Sequence, residues 1–279
     1  MSKGFLIFSQ NANGHDYLKQ AYALALSIKV SQPINNAVAL MTNDKVPDEY
    51  LHAFDYVVEI PWEHTEEDRL FFSDSRWKIF HVTPFDETIV LDSDMLLFKD
   101  ITMWWDHLSN FDLKFCSRIN NFRGIPVVDT FHRKTFIEND LPNVYFALHY
   151  FKKSDLALEF YKTLEFVIKN WEWHYTKFAP KNYQSWVSMD LSAAIAVEIM
   201  GLQEQVVSSM CPLEFVHMKT PLQDWKPQPN KWTDAVHYSL NSNKEFIVSN
   251  IKQSNLFHYI QKDFVTDAMI NTLKGHVDV

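Results

Sequence analysis

The chain has 279 residues, of which 47% are hydrophobic and 15% aromatic, which supplies a sizeable core and excludes general disorder. Its formal charge of −9 argues against a surface that coats nucleic acid. Two cysteines, Cys116 and Cys211, are too few for a disulfide framework and read as buried filler in a reducing compartment.

The opening run is too short for a signal peptide and no stretch approaches bilayer length, so the expectation is a cytoplasmic chain without a membrane span. Phe5 to Phe8 reads as a first strand, ending in the short polar side chains Ser9, Gln10, Asn11, Ala12 and Asn13. Ala21, Leu24, Ala25 and Ile28 then recur at helical spacing. Ala37–Met41 and Tyr56–Ile60 read as the next two strands, and the acidic run from Glu63 to Asp68 as a solvated loop. Arg76, Trp77 and Lys78 open a helix leading to Pro84. Strand alternating with helix predicts a parallel sheet with crossover helices. The five glycines stand too far apart for any glycine-rich phosphate loop, so phosphates here would need side chains or a metal.

Thr88 to Leu91 is a β-branched and aliphatic run that ends in Asp92-Ser93-Asp94, after which the chain turns apolar again from Met95 to Phe98. An Asx-turn or helix cap would account for the triplet alone. Two carboxylates at the end of a core strand, however, are costly unless a cation or strong donors neutralise them. Hard cations such as Mn²⁺ or Mg²⁺ take carboxylate oxygens and share them with diphosphates. Open α/β sheets bind ligands just beyond the carboxyl ends of their strands. The triplet is therefore read as a metal–diphosphate site.

The second half is less regular. Leu113–Ser117 and Val144–Phe151 read as strands, and Ser154 caps a helix with the stripe Phe160, Leu164, Val167, Ile168. Residues 171–186 are rich in aromatics interleaved with lysines, either a core lid or a surface on which sugars or bases stack. Val187, Leu191, Ala194 and Ile195 mark another helix, with Asp190 near its start. His217 and His258 each end an apolar run. Both are candidates for a third metal ligand, although a lone histidine there is more often a hydrogen-bonded core residue.

Together these segments resemble a GT-A glycosyltransferase, closest in layout to the glycogenin and lipopolysaccharide galactosyltransferase group (glycosyltransferase family 8). The resemblance rests on the polar end of the first strand (Phe5–Asn13), Ala25-Leu26-Ser27-Ile28, Arg76 before Pro84, and the strand-plus-DxD run Thr88–Asp94. Tyr145–Leu148 stands where that family has its acceptor-side strand, and Ser188-Met189-Asp190 where it has an Asp-Gln pair. It departs in lacking that strand's asparagine and glycine, in having no Gln after Asp190, and in a broken His-x-x-Gly-x-x-Lys-Pro-Trp terminus. His217 with Trp225 keeps part of that spacing, and His258 with Lys262 keeps the position.

The resemblance implies one α/β, GT-A (Rossmann-like) domain over 1–279, with a mixed, mostly parallel sheet flanked by helices. Residues 1–110 would form the nucleotide-binding half and 111–279 the acceptor-side half. It implies Mn²⁺ (or Mg²⁺) on Asp92 and Asp94 with His258 or His217, and a UDP-sugar donor. Ser9, Asn11, Asn13 and Tyr17 would lie near the base and Ser93 near the ribose. Arg76, Lys78, Lys219 and Lys262 would lie near phosphates or sugar, and Asp190, with Asp129 second, would carry the chemistry. A glycan, small molecule, protein or hydroxylated base in DNA are all open as acceptors. The rivals are a haloacid-dehalogenase-like phosphotransferase, which places Asp-x-Asp on its first strand, a nucleotidyltransferase, which needs a glycine-rich loop, and a non-catalytic sugar-nucleotide-binding module.

Overall fold

A computed structural model describes residues 1–12, 14–33, 37–62, 75–127, 132–208 and 210–275. Thirteen strands are formed among them: β1 (Lys3–Phe8), β2 (Ala37–Met41), β3 (Tyr56–Val58), β4 (Glu87–Asp92), β5 (Met95–Leu97), β6 (Leu113–Cys116), β7 (Arg118–Asn120), β8 (Tyr145–Lys152), β9 (Glu214–His217), β10 (Tyr238–Leu240), β11 (Phe246–Val248), β12 (Ile251–Gln253) and β13 (Leu256–His258). The main sheet runs β3-β2-β1-β4-β8-β6. Its first four strands are parallel, and β8 runs against both β4 and β6. A second sheet, β5-β13-β9-β7, and a third, β10-β11-β12, complete the strands. β6 and β8 carry the second half of the chain into the main sheet.

The central strands are apolar at nearly every position because both faces are covered. Along β1, Phe5 and Ile7 enter one core while Leu6 and Phe8 enter the other. The Tyr17–Ser31 helix, capped by the Asp16 carboxylate on the Lys19 amide, packs on the first face. It is buried almost all round, since β5 and the Asp267–Lys274 helix also lean on it. Ser27 Oγ accepts the Leu97 amide at 2.9 Å, which ties the helix to β5. The Gln32 amide group bridges the Lys99 carbonyl and the Ile101 amide.

Opposite lies the Asp155–Lys169 helix, begun by Ser154 and burying Ala157, Phe160, Tyr161, Leu164, Val167 and Ile168. Beside it runs the Met189–Met200 helix, begun by Ser188 and ended by Gly201 in the left-handed conformation. In β1, Gly4 admits the Phe85 ring so closely that a Cβ would lie 2.4 Å from it. Cys116 and Cys211 are both free and buried, as the composition suggested. The acidic run 63–68 lies outside the described residues. No helix among the described residues is long and apolar enough to cross a membrane.

Candidate metal–diphosphate cleft

The register of the main sheet builds the site. β1 and β4 are parallel with Phe8 opposite Asp92, so both strands end at one level and deliver Ser9 and Asp92 to the same rim. The chain then turns through Ser93 and Asp94 into β5, which pairs with β13 so that Met95 faces His258. That pairing carries His258 to Asp94, and the Tyr259 amide donates to the Asp94 carbonyl at 3.2 Å.

Asp94 is buried, and its two oxygens are taken by different cations or donors. His258 Nε2 stands 3.0 Å from Oδ1, and Lys262 Nζ donates to Oδ2 at 2.7 Å. Burial pushes the Asp94 carboxyl up, but His258 and Lys262 outweigh it and hold the group well below the usual carboxylate range. Lys262 answers in kind: burial lowers its ammonium pKa, and the Asp94 carboxylate more than restores it, leaving it raised. Asp92, less buried, is paired with Arg76 Nη1. One ligand atom from each of Asp92, Asp94 and His258 lies within 4.8 Å of the others. Two carboxylates and an imidazole form a donor set that fits Mn²⁺ or Mg²⁺.

A cleft of about 330 Å³ opens beside these residues. Ser9, Gln10, Ala12 and Tyr17 line it at the β1 end, Arg76, Ser93, Lys219 and Lys262 lie around the carboxylates, and Phe146, Ala147, Trp186, Met189 and Asp190 form the far wall. Ser9 Oγ and Gln10 Oε1 are buried with no hydrogen-bond partner, so the β1 end presents unsatisfied polar atoms. Three acids and three bases face one another across this volume, which suits a ligand that carries both phosphate and hydroxyl groups.

Several predicted residues stand elsewhere. His217 sits beside His258 in the paired strands, its ring 4.8 Å away, but it is not one of the three grouped ligands. Burial, with His258 nearby, holds its imidazole well below the usual range, and its Nδ1 has no partner. Lys78 does not line the cleft: the 3₁₀ turn Arg76–Lys78 sends it into the protein, 5.9 Å from the Trp77 ring centroid, while Arg76 faces Asp92. Asn11 does not line the cleft either: its Oδ1 accepts the Leu18 amide, and its backbone N–H donates to the Asp44 carboxylate. Asn13 and Asp129 lie outside the described residues.

Asp190 does reach the cleft, at the first turn of its helix. The aromatic segment 171–186 divides: Trp171–Phe178 is helical, and Trp186 alone of its tryptophans reaches the lining, 52% exposed. Gln10 and Arg133, which bonds Asp190 from 57 residues away, are functional candidates that sequence reasoning passed over. No local pattern links Arg133 to Asp190; the only sequence signal for Gln10 is its place in the polar end of β1.

Sheet order, antiparallel β8, and a carboxylate pair at the end of β4 define the architecture as that of the GT-A glycosyltransferases. The galactosyltransferase LgtC, solved with donor and acceptor sugar analogues, is similar at a TM-score of 0.54 and 11% identity, over 98% of this chain and 95% of that one. Mouse xyloside xylosyltransferase 1 is similar at 0.53 and 9% identity, over 95% of this chain and all of that one (100%). Streptococcus pneumoniae GlyE is similar at 0.50 and 11% identity, and there the chain spans 63% of the length of the structure it matches. No protein-family model and no curated protein sequence matches the chain.

Proposed function

We propose that this protein transfers a sugar from a nucleotide-sugar donor, a UDP-sugar, to an acceptor hydroxyl. The observation that carries the reading is the convergence of Asp92, Asp94 and His258 at the end of β4, in the GT-A architecture and at the rim of a cleft with Arg76, Lys219 and Lys262. Asp92, Asp94 and His258 would hold Mn²⁺ or Mg²⁺, which when bound supplies positive charge against the leaving diphosphate.

The chain's own residues supply the rest. Arg76, Lys219 and Lys262 face the position of the phosphates and add fixed positive charge where negative charge develops, a class of contribution worth several kcal/mol. Ser9, Gln10 and Tyr17 meet the nucleoside, with Ser93 toward the ribose. Asp190 meets the sugar on the far wall, and Trp186 offers the acceptor a ring to stack on. Phe146 and Ala147 supply the apolar floor between them. The haloacid-dehalogenase-like alternative loses its support, because the Asp-x-Asp pair follows the fourth strand of a GT-A sheet and not a first strand.

The test is a thermal-unfolding panel of UDP, GDP, CMP and UDP-sugars with and without Mn²⁺, followed by turnover of the donor that binds. A ligand that binds the native state raises its stability by RT ln(1 + [L]/Kd). A Mn²⁺-dependent rise for UDP is expected, and Asp94→Ala should lose both the rise and turnover by at least about a thousandfold while its circular dichroism stays native. Asp94→Ala turning over at a near-native rate would sink the metal–diphosphate reading. Donor binding with neither transfer nor slow hydrolysis would leave a non-catalytic binding module.

A further inference from the structure

Arg133 makes an unusually complete set of contacts around Asp190. Its Nη1 donates to Asp190 Oδ2 at 2.7 Å, its Nε to Asn143 Oδ1 at 2.6 Å, and its Nη2 to the Val144 carbonyl. The guanidinium also lies against two aromatic rings, its central carbon 3.8 Å from the Phe136 centroid and 4.1 Å from that of Tyr145. All three nitrogens of the group are thereby engaged, and two aromatic rings lie against it. The second Asp190 oxygen is fixed as well, since Oδ1 accepts the Phe146 amide of β8 at 2.8 Å. The carboxylate is held from two directions, by a strand of the main sheet and by a clamped arginine. Its side chain is still 27% exposed, toward the cleft, against 12% for Arg133.

We infer that Arg133 is the positioning residue for Asp190, and that the pair serves to accept a hydroxyl of the donor's sugar, not to attack its anomeric carbon. This inference rests on the sugar-transfer reading above. An attacking carboxylate must bring one oxygen into bonding distance of carbon. Here each oxygen already accepts an N–H bond that draws on its electron density and fixes its position, so an advance toward carbon would work against Arg133 or Phe146. A lone pair on the carboxylate stays open to a hydroxyl. An orienting acceptor needs the opposite, lone pairs fixed in space on a rigid support. Contact with the Phe136 and Tyr145 rings limits the movement of the planar guanidinium, and its fork serves Asp190, Asn143 and Val144 at once. A lysine can keep the charge but not that fork. Carbonyl, amide oxygen and carboxylate around one guanidinium account for its charge without any surface salt bridge of the weak kind.

Calorimetry in Mn²⁺ tests this, comparing UDP with UDP-glucose, UDP-galactose and UDP-N-acetylglucosamine on wild type, Arg133→Met, Arg133→Lys, Asp190→Ala and the Arg133→Met/Asp190→Ala double variant. Thermal unfolding is followed on each protein. In the wild type one of these sugar nucleotides should bind more tightly than UDP, and that increment is the readout. Arg133→Met should bind UDP as the wild type does and lose about tenfold of the increment, the scale of one hydrogen bond to a charged group. Asp190→Ala should lose the same amount, the double variant no more than either, and Arg133→Lys should recover part of it.

Additive losses in the double variant overturn the inference. So does an unchanged increment in an Arg133→Met protein whose unfolding temperature has fallen, which is the mark of a structural role alone. A wild type that binds UDP and all three sugar nucleotides equally, or intact mass spectrometry showing a glycosyl adduct on Asp190, overturns it too. Failure of UDP itself to bind the wild type refutes the nucleotide-sugar reading, and it differs visibly from loss of the increment alone.

Discussion

His149 makes the stability of this protein sensitive to mild acid. It lies in the middle of β8, fully buried, with Nδ1 2.8 Å from the Phe146 carbonyl and Nε2 2.7 Å from the Tyr161 hydroxyl. A neutral imidazole satisfies both: the Nδ1–H donates to the carbonyl and Nε2 accepts from the tyrosine. Burial lowers its pKa from 6.5 to about 3, the Phe146 carbonyl opposing and Arg76 adding to the fall. The unfolded chain therefore takes up a proton below about pH 6.5 that the folded chain refuses until about pH 3. Stability from this group is complete above the unfolded value and declines as pH falls through the window between the two.

Each pH unit is worth about 1.4 kcal/mol, so by pH 5 the loss is about 2 kcal/mol, and across the whole window about 5 kcal/mol. His217 is lowered in the same direction, so a comparison of variants is needed to isolate His149. The comparison is His149→Asn/Tyr161→Phe against Tyr161→Phe, by urea unfolding between pH 7.5 and 5, where carboxylates stay ionised. Asparagine keeps a donor for the Phe146 carbonyl, and phenylalanine removes the hydroxyl that would lose its acceptor. The stability gap between the two proteins should narrow by about 2 kcal/mol over that range. A gap constant to within about 0.5 kcal/mol would refute the buried neutral imidazole.

Two further substitutions report on parts of the structure that the ligand assays leave untouched. Gly4→Ala places a methyl group 2.4 Å from the Phe85 ring and should cost about 2 kcal/mol or more in urea unfolding, partly recovered by Phe85→Leu; a loss below about 0.5 kcal/mol would show that the contact relaxes freely. Trp186→Ala removes the exposed ring on the cleft's far wall and should raise the acceptor KM about tenfold with donor affinity unchanged, the scale of one stacking contact; loss of donor affinity instead would place the ring on the donor.

The first sheet was legible because its strands are buried on both faces and read as short apolar runs bounded by polar loops. β1, β2 and β4 keep the boundaries that hydrophobicity implies, within a residue or two. The Asp155–Lys169 and Met189–Met200 helices were legible from Ser154 and from apolar spacing, and Ser188 caps the second by the same chemistry. β7 and the small sheet β10-β11-β12 were not, because three-residue strands carry too little periodicity to separate from loops. The choice between His217 and His258 could not be made locally either. The two stand side by side in register, and only the pairing of β13 with β5 puts the second against Asp94. Lys78 and Arg76 show the same limit on a smaller scale, since one tight turn sends two neighbouring cations in different directions.

The aspartates of the Asp-Ser-Asp turn carry a further consequence. Two carboxylates at the end of a core strand should repel each other and resist burial. In this chain each has been given its own partner: Arg76 for Asp92, and Lys262 with His258 for Asp94. Those partners come from three separate stretches, the 3₁₀ turn before β4, the end of β13 and the loop after it, so folding itself assembles the neutralising charge. Each acid is thus met by donors that the fold itself brings to it. Two of these partners, Arg76 and Lys262, line the cleft together with the carboxylates. On the proposed reading, a ligand that brings both a divalent cation and a diphosphate would match this arrangement on both counts: the carboxylates would hold the metal, and the two side chains would meet phosphate oxygens. Free metal would offer only the first exchange and free nucleotide only the second, so on the proposed reading UDP and Mn²⁺ together should stabilise the protein more than either alone.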